Sequence, residues 1–548
     1  MASHGSSNRG LDAGAMPGVA FGRFGKMFDL PPAAKAPDAA LEALATAMIK
    51  RDVGKPITVA EPVDENPAIP AGYTYFGQFI DHDITFDPTP LGAFDNDVDG
   101  LVDFRSPALD LDSMYGRGPD DQPYLYEGGL RLRVGRAMQA ADAPVGTRAD
   151  LFRLQDGGTL PGGFGTPLLG DKRNDENKIV SQVHGAFIAF HNKVVDDQDL
   201  IAAFGGDFAD PVARFRAAAR CVRWHYQWVV VHDYLNRICE PGMVAEVLNA
   251  GGTPRLLNYV KQEAPYAYMP VEFSGAAFRF GHSMVRPGYA LNFLVGTDPA
   301  AAPNRIPTFT KDADPLKNLN GFPGTLPDQW GLDWGYFLDG DLPANAGPGF
   351  QVPQKSYRID ANLVSPLQDL PEFRGAMPDI VRNLAFRNLR RGQMLGLPSG
   401  QAVATRLGIK PLPDDILWDA GSRLLAEAPP PGDSAADLKT TRDNRAAVRA
   451  AWVDGGLKVF ERNAPLWYYI LREAEHYGVT AQPDDPARAF GGQHLGPVGS
   501  RIVAETLIGL LHYDRGSMLH AQPPFKPHAK VTGGRELTLS RIVEFALS

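Results

Sequence analysis

Cysteine is nearly absent from this chain: its 548 residues include two, Cys221 and Cys239. They stand at the ends of "CVRWHYQWVVVHDYLNRIC", which reads as helix. About 18 residues of helix span about 27 Å, so a continuous helix keeps the two thiols apart. A disulfide framework is excluded, and the fold must stand on burial and on what it binds. Runs of Lys or Arg are missing too, and the formal net charge is −10. A nucleic-acid backbone needs clustered cations, so nucleic acid is excluded as a main partner. No apolar run approaches ~18 residues, so no membrane span is expected. The opening "MASHGSSNRGLDAGAMPG" lacks a charged-then-apolar leader. The default expectation is a cytoplasmic chain, with export independent of a leader left open. The zinc patterns HExxH and CxxC are absent.

Strand-like alternation is scarce. What is present is long apolar periodicity at helical spacing. "NKIVSQVHGAFIAFHNKVV" puts Ile179, Val183, Phe187, Phe190 and Val194 on one face. "VARFRAAARCVRWHYQWVVVHDYLNRI", "VRNLAFRNLRRGQML" and "GSRIVAETLIGLLHY" are further helices. Residues 1–25, rich in Gly, Ser and Ala, read as a flexible tail, and residues 26–548 as one domain. Between the helices lie long Pro/Gly-rich connections, notably 298–353 and 410–438, in a chain with 47 prolines in all. Loops of that length usually line or wrap something.

Four segments carry chemistry. "YTYFGQFIDHDITFD" sets His82 between Asp81 and Asp83; on a helix over 73–85, Gln78 lies one turn before His82 on the same face. "RSPALDLDSMYG" alternates oxygen side chains at Ser106, Asp110 and Asp112, as a calcium loop does, although the EF-hand template fails at Met114. "LLGDKRNDENKIVSQVHGAFIAFHN" places Arg173 and Glu176 three apart, neighbours on a helical first turn. "AFRFGHSMVRP" holds His282 in an apolar setting. Read singly, each also fits an ordinary part: a helix end, a solvated acidic turn, a surface ion pair, a satisfied core histidine.

Together, and in this order, the four segments resemble the animal-type haem peroxidases, the myeloperoxidase and lactoperoxidase branch of the peroxidase–cyclooxygenase superfamily, in a bacterial form. "NLAFRNLRRGQMLGLPSG" resembles a fifth motif of that family, and "PLWYYILREAEHYG" and "GPVGSRIVAETLIGLL" its C-terminal helices. The resemblance spans roughly residues 25–515. It implies a mainly α fold, a central helical core around a buried haem b with long ordered loops and little β.

The resemblance also implies roles. His82 would be the distal base, Arg173 the group stabilising charge as the O–O bond breaks, and Gln78 the group ordering water or a halide. His282 would bind the iron from the other face. Asn388 would hold its far nitrogen, and Arg391 would pair a haem propionate. Asp81 and Glu176 match positions that form ester bonds to the haem. Asp83, Ser106, the carbonyl of Ala108, Asp110 and Asp112 would bind Ca2+ beside the distal helix. Where the myeloperoxidase branch has a methionine after the glutamate, this chain has Asn177, so the sulfonium link cannot form and chloride is not an expected substrate.

The implied activity is peroxidase turnover with hydrogen peroxide, on phenols or on iodide, bromide or thiocyanate. Loop 298–353 is expected to shape access to the haem edge. Two rivals remain: a fatty-acid dioxygenase of the same superfamily, and a haem- or calcium-binding interaction protein without turnover. The first needs a tyrosine shortly before the proximal histidine, where this chain has Arg279. Oligomeric state is open.

Overall fold

Helices dominate because the apolar residues recur at helical spacing, and several helices begin on a side chain that caps them, as at Asn177, Asp210 and Asn383. In the computed structural model, the residues described are 22–49, 65–87, 101–138, 148–154, 165–249, 253–259, 266–295, 305–310, 317–321, 327–342, 350–373, 379–419, 437–478 and 491–548. The longer helices are α1 (Asp38–Met48), α2 (Gly72–Ile84), α3 (Lys178–Val195), α4 (Pro211–Val229), α5 (Leu384–Met394), α6 (Asp437–Val453), α7 (Leu466–Tyr477), α8 (Pro497–Tyr513) and α9 (Leu539–Leu547). The sheets among the described residues are small. One has three strands, with Gly22–Gly25 between Val102–Asp103 and Met269–Pro270; the others are pairs. The expected tail ran to residue 25, but its last four residues are strand. Phe24 is buried there and the backbone pairs on both sides. The rest of that tail, residues 1–21, lies outside the described residues.

Helix α3 starts at Lys178 because Asn177 caps it, accepting the N–H of Ile179 at 2.8 Å. Its predicted stripe of Ile179, Val183, Phe187, Phe190 and Val194 is buried. So are Ser181, His184 and His191, since α3 runs through the middle of the molecule with α2, α4 and α9 against it. Phe187 stacks on both Phe76 and Phe79 of α2, at 6.1 and 5.1 Å between centroids. That aromatic contact sets α2 against α3.

Helix α4 begins on the Asp210 cap with Pro211 in its first turn. It continues through a π turn, Val230–Tyr234, into a last helical turn at Leu235–Ile238. The run is continuous, and Cys221 and Cys239 are free and buried, as expected. The π turn aims Asp233 and Tyr234 at α2. Asp233 accepts the Tyr73 hydroxyl at 2.6 Å, and Tyr234 packs edge-on against Phe76. Gly77 is required at that contact, because a Cβ there would overlap the Tyr234 hydroxyl.

One buried apolar cluster extends from Phe24 to Val543. No helix among the described residues is long and apolar enough to cross a membrane. Near the C-terminal end, α7 and α8 are tied by Glu473, whose Oε2 accepts the N–H groups of Val498 and Gly499 at 2.9 and 3.3 Å. Burial, with a smaller push from Glu240, raises this carboxyl from 4.5 to about 8. Between those values it is protonated in the fold and ionised in the unfolded chain, so stability falls as pH rises from 4.5 to 8. Glu473→Gln is expected to remove that loss: chemical denaturation at several pH values will find the variant gaining on the unmodified protein across this window. A difference that does not change with pH would contradict burial as the cause.

Candidate active site

A cavity of about 650 Å³ opens between α2 on one side and the 3-10 segment Ala277–Met284 on the other. Its wall contains Gln78, Asp81 and His82 from α2, and Arg173 and Glu176 from the turn before α3. His282 lines it from the 3-10 segment. Six candidates drawn from three distant parts of the sequence thus share one space. The remaining wall is largely apolar, including Val285, Phe309, Leu367 and Leu370. Loop 298–353, read as shaping access, contributes Thr308, Phe309 and Asn320.

On the α2 side, His82 is buried and its Nδ1 lies 2.9 Å from Oδ1 of Asn174. Its Nε2 lies 3.3 Å from Oε1 of Glu176, which also accepts from Nε2 of Gln78 at 2.5 Å. Burial pushes the Glu176 carboxyl up, but His82 in its protonated form, Arg173 and Gln78 outweigh it and hold it below its usual value. Arg173 and Glu176 do not lie on a helical first turn, as the spacing suggested. Residues Lys172–Asp175 form a 3-10 turn and the helix starts only after Asn177, because that side chain takes the cap. Arg173 donates to Asp171 at 2.8 Å and to the carbonyls of His82 and Thr85. Burial alone would raise Asp171; the guanidiniums of Arg173 and Arg105 reverse this and hold it well below the carboxylate range. Asp81 is 3.9 Å from Arg173 and accepts the Thr85 hydroxyl.

On the opposite side, His282 has its Nδ1 2.8 Å from Nδ2 of Asn388, a residue of α5. Burial, then the nearby Arg279 charge, lowers His282 from 6.5 to about 3, so the imidazole is neutral and able to act as a ligand. Arg391 lies off the large cavity, in a smaller annex that shares Asp81, Arg173 and Arg279 with it, and donates to Asp87 at 3.4 Å.

Behind α2, Asp83, Asp110 and Asp112 bring carboxylate oxygens within 4.8 Å of one another. Ser106 Oγ donates to Asp110 at 2.9 Å, and Ala108 is buried in the same loop. Leu111 holds the loop in the left-handed region, φ 61°, where its N–H bonds Asp83 Oδ2 at 3.1 Å. Burial raises all three acids; repulsion from Asp110 and Asp112 adds to it at Asp83, and repulsion from Asp112 adds to it at Asp110, which reaches about 8. Arg105 offsets part of this at Asp112, 3.2 Å away. The donor set fits a cation that takes many oxygens.

Residues 101–305 match the family model for animal haem peroxidase. The family read from the sequence is borne out over that span, which contains Arg173, Glu176 and His282 but not His82 or Asn388. The whole fold is similar to that of peroxidase A from Dictyostelium discoideum, with TM-score 0.55 and 14% identity over 99% of this chain and 96% of that one. It is also similar to a fatty acid alpha-dioxygenase from Arabidopsis thaliana, with TM-score 0.51 and 12% identity over 95% of this chain and 75% of that one. At such identity the likeness is one of fold, and it bears out the mainly α peroxidase-type architecture. No curated protein matches the chain by sequence.

Several residues of this site had no signal in the sequence. Asn174 contacts His82 from two positions before Glu176. Arg279 lines the cavity and donates to Asn388 Oδ1 at 3.2 Å; burial, then the Arg391 charge, lowers it to about 10. Tyr75 and Tyr234 also reach the wall. Arg153 grips Asp175 with two bonds, 2.7 and 2.8 Å, and Asp150 with two more, so it clamps the turn from just beyond the strand Arg148–Leu151. Arg153 and its two partners are almost fully buried. Arg153→Met should therefore cost about 3–5 kcal/mol, since it leaves two carboxylates buried without their cation. Denaturant unfolding measures this, and a loss under about 1 kcal/mol would contradict the clamp.

Proposed function

We propose that this chain is a haem peroxidase that uses hydrogen peroxide to oxidise small donors, phenols or the anions iodide, bromide and thiocyanate. The observation that carries the reading is the pair His82 and His282 lining one cavity from opposite sides, with the Arg173 guanidinium beside His82. The cavity has a volume suited to a cofactor, one neutral imidazole, and an excess of guanidinium groups for two propionates. Haem b fits that donor set, and it would supply the redox-active iron at which the peroxide O–O bond is broken.

The chain's own residues do the rest. His82 takes a proton from peroxide at Nε2 and returns it to the departing oxygen. Arg173, held by Asp171, stabilises the negative charge that develops there. Gln78 orders a water or halide next to His82. His282 would offer Nε2 as the ligand, which needs a proton on Nδ1 and so the Oδ1 end of the Asn388 amide turned to it in place of Nδ2, and Arg391 would pair a propionate from the annex. Asp81 and Glu176 face the cavity, where esters to the haem would form. Ca2+ held by Asp83, Ser106, the Ala108 carbonyl, Asp110 and Asp112 would anchor the end of α2 beside His82. The dioxygenase reading ranks lower because Arg279 occupies the place of its phenol, although Tyr75 and Tyr234 bring phenols to the wall from other elements.

Replacing His82 by alanine is expected to leave the haem absorption spectrum in place and cut the rate with hydrogen peroxide by about 10²–10⁴-fold. Turnover that survives the change would show that His82 is not the base. Oxygen uptake with a fatty acid and no peroxide would favour the dioxygenase instead. Chelation is expected to lower the melting temperature, because three carboxylates, two buried and one half-buried, are left facing one another, and elemental analysis should find calcium lost with it. Unchanged melting and a calcium-free protein would contradict the metal assignment.

A further inference from the structure

Asn174 is fully buried between two histidines. Its Oδ1 lies 2.9 Å from Nδ1 of His82, and its Nδ2 lies 2.8 Å from Nδ1 of His184. A primary amide accepts at one end and donates at the other. It satisfies both rings only when one Nδ1 bears a proton and the other does not. We propose that Asn174 is a positioning residue that couples the two tautomers, holding a proton on Nδ1 of His82 and keeping one off Nδ1 of His184. The basic nitrogen of His82 is then Nε2, the one that faces the cavity. The consequence for catalysis rests on the peroxidase reading; the coupling itself does not.

The reversed amide would put the His82 proton on Nε2, towards Glu176 at 3.3 Å, and leave no base facing the cavity. Glu176 takes a proton from Nε2 only when His82 is protonated on both nitrogens; in neutral His82 the Gln78 amide still donates to that oxygen at 2.5 Å while the remaining proton stays on Nδ1. His184 is buried in α3 with the edge of its ring system against Phe79. Burial lowers it to about 3, so it brings no second proton to the amide. The amide itself has little freedom. Its backbone N–H bonds the carbonyl of Asp171 at 3.1 Å, and the adjacent Asp175 is held by Arg153.

Nitrogen-15 NMR of histidine-labelled full-length protein, with and without haem, the loaded sample as the diamagnetic ferrous carbon monoxide form, reads the protonated nitrogens directly. The expected result is a proton on Nδ1 of His82 and none on Nδ1 of His184. The opposite pattern, or the same nitrogen protonated alone in both rings, overturns the coupling. In the haem-loaded protein, Asn174→Leu should slow the reaction with peroxide by about 10–100-fold with the donor KM unchanged. Asn174→Asp keeps an acceptor towards His82 and should recover to within about threefold. Equal rates for Leu and Asn, with the unmodified protein active, would also overturn it. If Asn174→Leu does not fold, the tautomers of the unmodified protein decide. An unmodified protein without turnover overturns the peroxidase reading alone, because the tautomers are read independently of turnover.

Discussion

The turn 171–177 is held by buried charge, and the cavity depends on it. Asp171 grips Arg173, Arg153 grips Asp175, and Asn177 starts the helix that follows. Those three anchors leave Arg173, Asn174 and Glu176 no other direction than towards α2. The arrangement has a cost in desolvation, which only complete pairing offsets. A turn of this kind resists change because removing any one partner strands the others.

Across the cavity the logic differs. His282 sits on a short 3-10 segment, a weak element by itself. It is stiffened from outside: Trp467 donates to the Arg279 carbonyl at 3.1 Å, and Asn388 reaches the ring from α5. The α2 side is set by aromatic packing on Phe187 and by the π turn that drives Tyr234 against Gly77. The three acids behind α2 add a second demand, since their repulsion is relieved only by protons or by a cation. Burial thus tunes both sides: it keeps His282 neutral and makes the acid loop a place where a cation is welcome.

Much of this was legible in the residues. The stripe on α3, the absence of a disulfide and the helix carrying Gln78 and His82 followed from periodicity and spacing. The motif pattern pointed to the family and brought six residues to the cavity. Other features could not be read. The 3-10 turn at Lys172–Asp175 looks like helix in sequence until Asn177 is seen to take the cap. Tyr234 reaches the site only through a π turn, which shifts register by one residue without a local signature. Arg153 lies about 20 residues before Asp175, in what reads as a surface charge. Asn174 has meaning only because two histidines, 92 and 10 residues away, converge on it.

The central claim is that His282 and His82 face one another across a single haem. Titrating haem into the full-length protein, in parallel with His282→Ala, tests it most directly. The account predicts one haem per chain, with a histidine-ligated iron spectrum that is lost or strongly altered in the variant. A protein that takes up no haem, or one whose spectrum is the same with alanine at 282, would contradict it.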